Sequence, residues 1–201
     1  MKTIIFDFGN VIGFFDHYRT LEKLRPYTTL SAREMYTTLY DGPLEDQVER
    51  GEITPPEFLE QVRQLWRLGC DIEFLAQVAA DIFTPNPEVC DMIPKLARRY
   101  RILLGSNTNA IHSDKYRLQF ADVLGHFSAL VLSHEVGVRK PDTAFFEHCH
   151  RLAEAAPAEC VFVDDLPANI AAARSYGFHG VLYKPSEDLA GQLGALGVVV
   201  S

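Results

Sequence analysis

Four short apolar runs each end in residues able to handle phosphate. Ile4-Ile5-Phe6 leads to Asp7, and Leu103-Leu104-Gly105 leads to Ser106-Asn107. Gly137-Val138-Arg139 leads to Lys140-Pro141, and Val161-Phe162-Val163 leads to Asp164-Asp165. A carboxylate at the carboxyl end of a strand can attack phosphorus and split a hydrolysis into two steps. A hydroxyl, an amide and free backbone N–H groups ahead of a helix favour an anion. A lysine can neutralise both that anion and the attacking carboxylate, which otherwise repel each other. Asp164 and Asp165, joined by Asp7, make a hard all-oxygen site suited to Mg²⁺. Asn169, one helical turn beyond Asp165, is placed to orient the acids. Taken singly, each group has a plainer explanation: a turn cap, an N-cap loop, a solvated lysine, or two acids complementing a helix dipole. All four together, in this order, make chance assembly a poor account.

These groups need a scaffold that brings distant strand ends together. Residues 3–8 are short, apolar, rich in β-branched and aromatic types, and closed by Gly9, which predicts a buried strand. Similar runs at residues 101–104, 129–132, 161–163 and 180–183 are separated by helical patterns. Strands alternating with helices predict a parallel sheet covered on both faces, in which ligands bind beyond the carboxyl ends of the strands. Residues 16–83 differ, with helix signals and no convincing strand. Ser31-Ala32-Arg33-Glu34 and Thr54-Pro55-Pro56-Glu57 both fit a capping box, the second with Pro at the first helical position. Phe58, Leu59, Val62, Leu65 and Trp66 then recur at helical spacing. Asp71 is expected to cap another helix, Asn86 to cap the helix that returns to the sheet, and Pro141 to open a later one. The expected division is a core of residues 1–15 and 84–201 with a helical cap of residues 16–83. Phe14, Phe15, His17 and Tyr18 follow the first loop and either line an entrance or pack between cap and core. Arg139 is expected to be solvated or supporting, and Trp66 to pack in the core.

The 201 residues carry a net charge of −8, with 47% hydrophobic and 23% charged residues. That is ordinary for a soluble globular protein, and the acidic balance speaks against general affinity for nucleic acid or anionic membrane. The chain's first residues lack a signal-peptide pattern, and no stretch reaches membrane-spanning length. Cys70, Cys90, Cys149 and Cys160 lack the spacing of a zinc or redox motif. They are expected to be reduced thiols in a cytoplasmic protein.

The motifs Asp7-Phe8-Gly9-Asn10-Val11-Ile12, Ser106-Asn107-Thr108-Asn109, Arg139-Lys140-Pro141-Asp142 and Asp164-Asp165 through Asn169-Ile170 resemble the haloacid dehalogenase superfamily of phosphatases and dehalogenases. The likeness spans essentially the whole chain. Together with Glu49-Arg50-Gly51-Glu52-Ile53 it resembles a bacterial sugar-phosphate branch, of the α-D-glucose-1-phosphate phosphatase type. The resemblance implies a Rossmann-like α/β core of three layers with a small all-helical cap after the first strand. It further implies Asp7 as nucleophile and Mg²⁺ ligand, and Ser106 and Asn107 as holders of the transferring phosphate. Lys140 would stabilise both Asp7 and the phosphate. Asp165 would be a metal ligand with Asp164 the next candidate, and the Gly9 carbonyl would be able to reach the metal. The substrate would be a small phosphorylated metabolite. Most phosphatases of the superfamily carry an acid two residues after the nucleophile, where this chain has Gly9. Such a group is typically worth about a hundred- to ten-thousand-fold in rate. A water, a cap residue or Asp16 is left to substitute. Two other functions remain open: a metal-free 2-haloacid dehalogenase, against which the acidic pair argues, and a phosphate- or partner-binding module of low turnover, which Gly9 keeps open.

Overall fold

The computed structural model describes residues 1–200. Five strands, β1 (Thr3–Phe6), β4 (Arg101–Ser106), β5 (Ala129–Leu132), β6 (Cys160–Asp164) and β7 (His179–Leu182), form one sheet in the order β5-β4-β1-β6-β7, parallel throughout. Both faces are covered, so the strands read as unbroken apolar runs rather than alternating ones. The twofold period survives in where the side chains go. Ile4, Phe6, Ile102, Leu104, Val161 and Val163 enter one core. Ile5, Leu103, Cys160 and Phe162 enter the other. The first face packs on α6 (Pro87–Leu96), α7 (Ala110–Gln119), α8 (Ala121–Leu124) and α12 (Leu189–Ala195). The second packs on α10 (Thr143–Ala153) and α11 (Pro167–Tyr176). The result is the three-layer Rossmann-like α/β core expected from the pattern. A short helix, α9 (Ser133–Val136), follows β5 directly.

Between β1 and α6 lie five helices: α1 (His17–Leu24), α2 (Ala32–Tyr40), α3 (Leu44–Glu49), α4 (Pro55–Leu65) and α5 (Ile72–Ala80). They share an apolar cluster of their own, built on Leu21, Leu24, Met35, Val62, Trp66 and Leu75. Both capping boxes are formed. Ser31 and Thr54 accept from the N–H of Glu34 and Glu57, and those glutamates accept in return at 2.8 Å each. Asp71 caps α5 by accepting from Phe74 N–H at 2.7 Å. Trp66 is buried, with its indole N–H donating to the Met35 carbonyl at 3.0 Å. Leu65, expected on the apolar stripe, is 39% exposed because the helix ends there and turns it outward.

Three local expectations are corrected. Residues 13–15 and 83–85 are strands, β2 (Gly13–Phe15) and β3 (Phe83–Pro85), paired antiparallel where the helical block leaves and rejoins the sheet. Three-residue strands carry too little pattern to stand out. Asn86 occupies the N-cap position of α6 without capping it by its side chain. Its buried amide instead donates to the Val11 carbonyl and the Tyr183 hydroxyl, both at 2.7 Å. Pro141 follows Lys140 through a cis peptide bond, and α10 begins later, at Thr143.

The helical block seats on the core through α5 against α7 and through α3 and the turn after it against α9. Gly51 has φ +67, and a Cβ there would overlap the His134 carbonyl of α9. Only glycine meets both demands. Replacing Gly51 by alanine is expected to cost about 1–3 kcal/mol, measured by urea unfolding, from the positive φ and the lost close approach. An unchanged unfolding midpoint would contradict this role.

Candidate active site

The expected chemical groups, Asp16 excepted, stand at one end of the sheet. Asp7 follows β1, the central strand, and its N–H continues the ladder by donating to the Val163 carbonyl at 2.8 Å. Ser106 is the last residue of β4 on one side, and Asp164 the last of β6 on the other. Parallel register therefore delivers three strand ends to one place without help from the loops. After Asp7 the chain turns tightly, the Phe8 carbonyl accepting from the N–H groups of Val11, Ile12 and Gly13. Asn10 sits in that turn at φ 55, a left-handed conformation that asparagine tolerates better than most residues. Its amide donates to Asp165 Oδ2 at 3.0 Å.

Lys140 is the hub. Its ammonium is 2.8 Å from Asp7 Oδ1 and 2.7 Å from Asp164 Oδ2, and it is almost wholly buried. Burial works against the charge, but Asp164 and Asp7 outweigh it and hold the lysine above its ordinary range. Asp7 Oδ1 also accepts from Phe8 N–H at 2.7 Å. Burial, opposed by Lys140 and reinforced by Asp164 and Asp165, pushes the Asp7 carboxyl up to about 7. One cation does not balance three acids in so small a volume.

One carboxylate oxygen from each of Asp7, Asp164 and Asp165 lies within 4.8 Å of the others. Oxygen donors this close, two positive charges short of neutrality when all three acids are ionised, fit a hard divalent cation. The two neighbouring acids differ. Asp164 is fully buried and already engaged: Oδ1 accepts from Leu166 N–H at 2.8 Å and from Asn169, and Oδ2 accepts from Lys140 and Asn169. Asp165 is half-buried and held by Asn10 alone. Asp16 is elsewhere: exposed, it accepts from Tyr18 N–H at 2.9 Å as the N-cap of α1.

A cavity of about 90 Å³ is lined by Gly9, Phe15, Ser106 and Asn107 from the core side and by His17, Glu45 and Glu49 from α1 and α3. Of the four aromatic candidates after the first loop, Phe15 and His17 line it. Phe14 is half-buried outside it, and Tyr18 stacks on Tyr36 at the surface. The Asn107 side chain does other work than expected. Its amide donates to the Lys140 carbonyl at 2.9 Å and accepts from the Lys140 N–H at 2.8 Å, which fixes the backbone that carries the ammonium. Arg139 is no solvated residue. It reaches α3, contacting Asp46 Oδ1 and Glu49 Oε2 at 2.9 Å each, while Arg50 reaches Asp142 at 2.9 Å.

Sequence reasoning missed the roles of Asn10, Arg139, Glu45, Glu49 and His112. Asn10 carried a usable signal, an amide in a glycine-flanked turn after the first acid. The others depend on α3 meeting the loop after α9, and on α1, α3 and α7 lining one cavity, which no local pattern encodes.

The chain belongs to the haloacid dehalogenase-like hydrolases, whose family model matches residues 1–177. It is similar to a D-ribitol-5-phosphate phosphatase of Bacteroides thetaiotaomicron, 25% identical with 89% of each chain covered. A sesquiterpene phosphatase of Aspergillus oryzae is 26% identical, covering 90% of this chain and 88% of that one. Among solved structures, a family enzyme of Bacteroides thetaiotaomicron in complex with magnesium and inorganic phosphate superposes with a TM-score of 0.83. It is 25% identical and covers 96% of this chain and 98% of that one.

Lys140→Met would leave Asp7 and Asp164 buried without their cation. Stability measured by urea unfolding is expected to fall by about 3–5 kcal/mol, the usual cost of breaking a buried ion pair from one side. A change below about 1 kcal/mol would show that the lysine does not hold the acids together.

Proposed function

We propose that this protein hydrolyses small phosphate monoesters, a sugar or polyol phosphate before others, through a phosphoryl group carried transiently on Asp7. The observation that carries this is the buried Lys140 ammonium shared by Asp7 and Asp164 beside Asp165, together with a cavity lined by Phe8 and Gly9, which follow Asp7, and by Ser106 and Asn107. Asp7 attacks phosphorus with the oxygen not committed to Phe8 N–H and Lys140. Ser106 and the Asn107 backbone hold the phosphate oxygens, and Lys140 offsets the charge that Asp7 and the phosphate bring together. Asp7, Asp165 and the Gly9 carbonyl would hold Mg²⁺, with Asp164 the further candidate. Bound there, the ion supplies positive charge against both the carboxylate and the phosphate oxygens. Asn169 and Asn10 position the two neighbouring acids. The core comprises residues 1–15 and 84–201, and residues 16–83 form a cap whose polar groups choose the substrate. His17, Glu45, Glu49 and His112 in a cavity of this size suit a small polyol. The similarity to a ribitol phosphate phosphatase supports that choice. A 2-haloacid would bring its own carboxylate against these acids, so nothing favours dehalogenation.

Release of p-nitrophenol from p-nitrophenyl phosphate tests this directly. Wild type is expected to turn over only with Mg²⁺, and Asp7→Asn to fall to background. Equal rates in EDTA, or an active Asp7→Asn protein, would remove the proposal.

Asn10→Gly keeps a residue suited to the positive φ while deleting the amide on Asp165. Mg²⁺ affinity, measured from the dependence of turnover on its concentration, is expected to weaken about 10- to 100-fold. Unaltered affinity would mean that Asp165 needs no such support.

A further inference from the structure

Gly9 leaves the proposed reaction without a side chain to protonate the departing oxygen, and a side chain there would need the Phe15 ring to shift. A Cβ at Gly9 would lie 2.9 Å from Phe15 Cε1 and 3.4 Å from Cδ1. Other walls of the cavity carry candidate acids. Four titratable side chains outside the Asp7 cluster line it: His17 of α1, Glu45 and Glu49 of α3, and His112 of α7.

They are not equivalent. His17 is tied to the Tyr40 hydroxyl at 2.7 Å, and burial holds its imidazole down at about 4. His112 is likewise held at about 4 by burial and then by His17. Both are neutral at pH 7 and are not acids there. Glu49 is pinned by Arg139, whose other nitrogen is pinned by Asp46. Glu45 stands one helical turn before Glu49, on the same face of α3. It makes no hydrogen bond or ion pair with any described residue. The groups around it are Glu49 and Asp46 on its own helix, Tyr40 of α2, His17 of α1, His112 of α7 and Arg139 from the loop after α9. Burial and the Glu49 charge, opposed by Arg139, push its carboxyl up to about 8. Burial raises the Glu49 carboxyl as well, against the opposing Arg139 charge, so what separates the two is geometry: Glu49 meets a guanidinium at 2.9 Å and Glu45 has no such partner among the described residues.

We infer that Glu45, reaching down from the cap into the Gly9 cavity, is the catalytic acid and base that this chain uses in place of a side chain at position 9. The inference rests on the phosphatase reading above. In the first step an Asp7 oxygen bonds to phosphorus. The bond from phosphorus to the leaving oxygen breaks, and that oxygen keeps the electron pair and takes the Glu45 proton. In the second step the Glu45 carboxylate takes a proton from water as the water oxygen bonds to phosphorus. The bond to Asp7 breaks with its electrons returning to the carboxylate, inorganic phosphate leaves, and Glu45 is protonated again.

An acid matters for an alkoxide leaving group and much less for p-nitrophenolate, which separates this inference from the phosphatase reading itself. The measurement is the single-turnover rate of phosphorylation of the intact protein with Mg²⁺, from glycerol 2-phosphate and from p-nitrophenyl phosphate. Wild type, Glu45→Gln and Glu49→Gln are compared. Glu45→Gln is expected to lose about a hundredfold or more on the alkyl ester and less than about tenfold on the aryl ester. Its burst of p-nitrophenolate, near one per enzyme, will report a folded protein whose second step has slowed. The wild-type rate on the alkyl ester should fall as the solution turns alkaline and Glu45 loses its proton, and that limb should vanish in Glu45→Gln. Equal losses on both esters, or no loss on either, overturn the assignment. So does a selective loss in Glu49→Gln with Glu45→Gln spared. A wild type that phosphorylates from neither ester removes the phosphatase reading, and this assignment with it.

Discussion

A buried ammonium between two buried carboxylates sets the terms for everything around it. Lys140 lies within 2.8 Å of Asp7 and 2.7 Å of Asp164, where water cannot soften an error of placement. Such a group is held only if each neighbour is itself held. The Asn107 amide grips the Lys140 backbone at both its N–H and its carbonyl. Asn169 and Leu166 N–H grip Asp164. Phe8 N–H grips Asp7. The ladder from β1 to β4 and β6 fixes where those residues start, so the sheet's rigidity becomes the rigidity of the site.

The same loop also joins the two parts of the molecule. Arg139 points toward α3 while Lys140, the next residue, points toward Asp7. Placement of the helical block and placement of the ammonium beside Asp7 thus share one short stretch of backbone. Gly51 brings the turn after α3 against the α9 carbonyl, and Arg50 reaches Asp142. Two of the contacts that set Glu45 and Glu49 of α3 against the core, those of Arg139 and Asp142, therefore lie within two residues of Lys140.

Crowding in the first loop accompanies a departure from the family's commoner pattern. Phe15 fills the space beside Gly9, so an acid at that position would need Phe15 to move. Phe15 belongs to β2, whose pairing with β3 closes the base of the helical block. The chain has given that space to the seam between core and cap, and the cavity draws its polar groups from α1, α3 and α7 instead.

Much of this was legible in the residues alone. Short apolar runs ending in Asp7, Ser106 and Asp164-Asp165 declared the sheet and the chemistry at its edge, while Lys140 comes from the loop after α9. Ser31 and Thr54 declared two helix starts, because apolar runs and capping boxes are local patterns that a few adjacent residues complete. Tertiary structure alone decided what depends on distant backbones meeting. It turned the Asn107 side chain onto Lys140 and the Asn86 amide onto Val11 and Tyr183. It drew Arg139 onto α3, moved Asp16 out of the site, and separated Asp164 from Asp165 by the partners left for each. An amide or a guanidinium takes whichever partner the fold brings within about 3 Å, and the linear order of residues does not encode that distance.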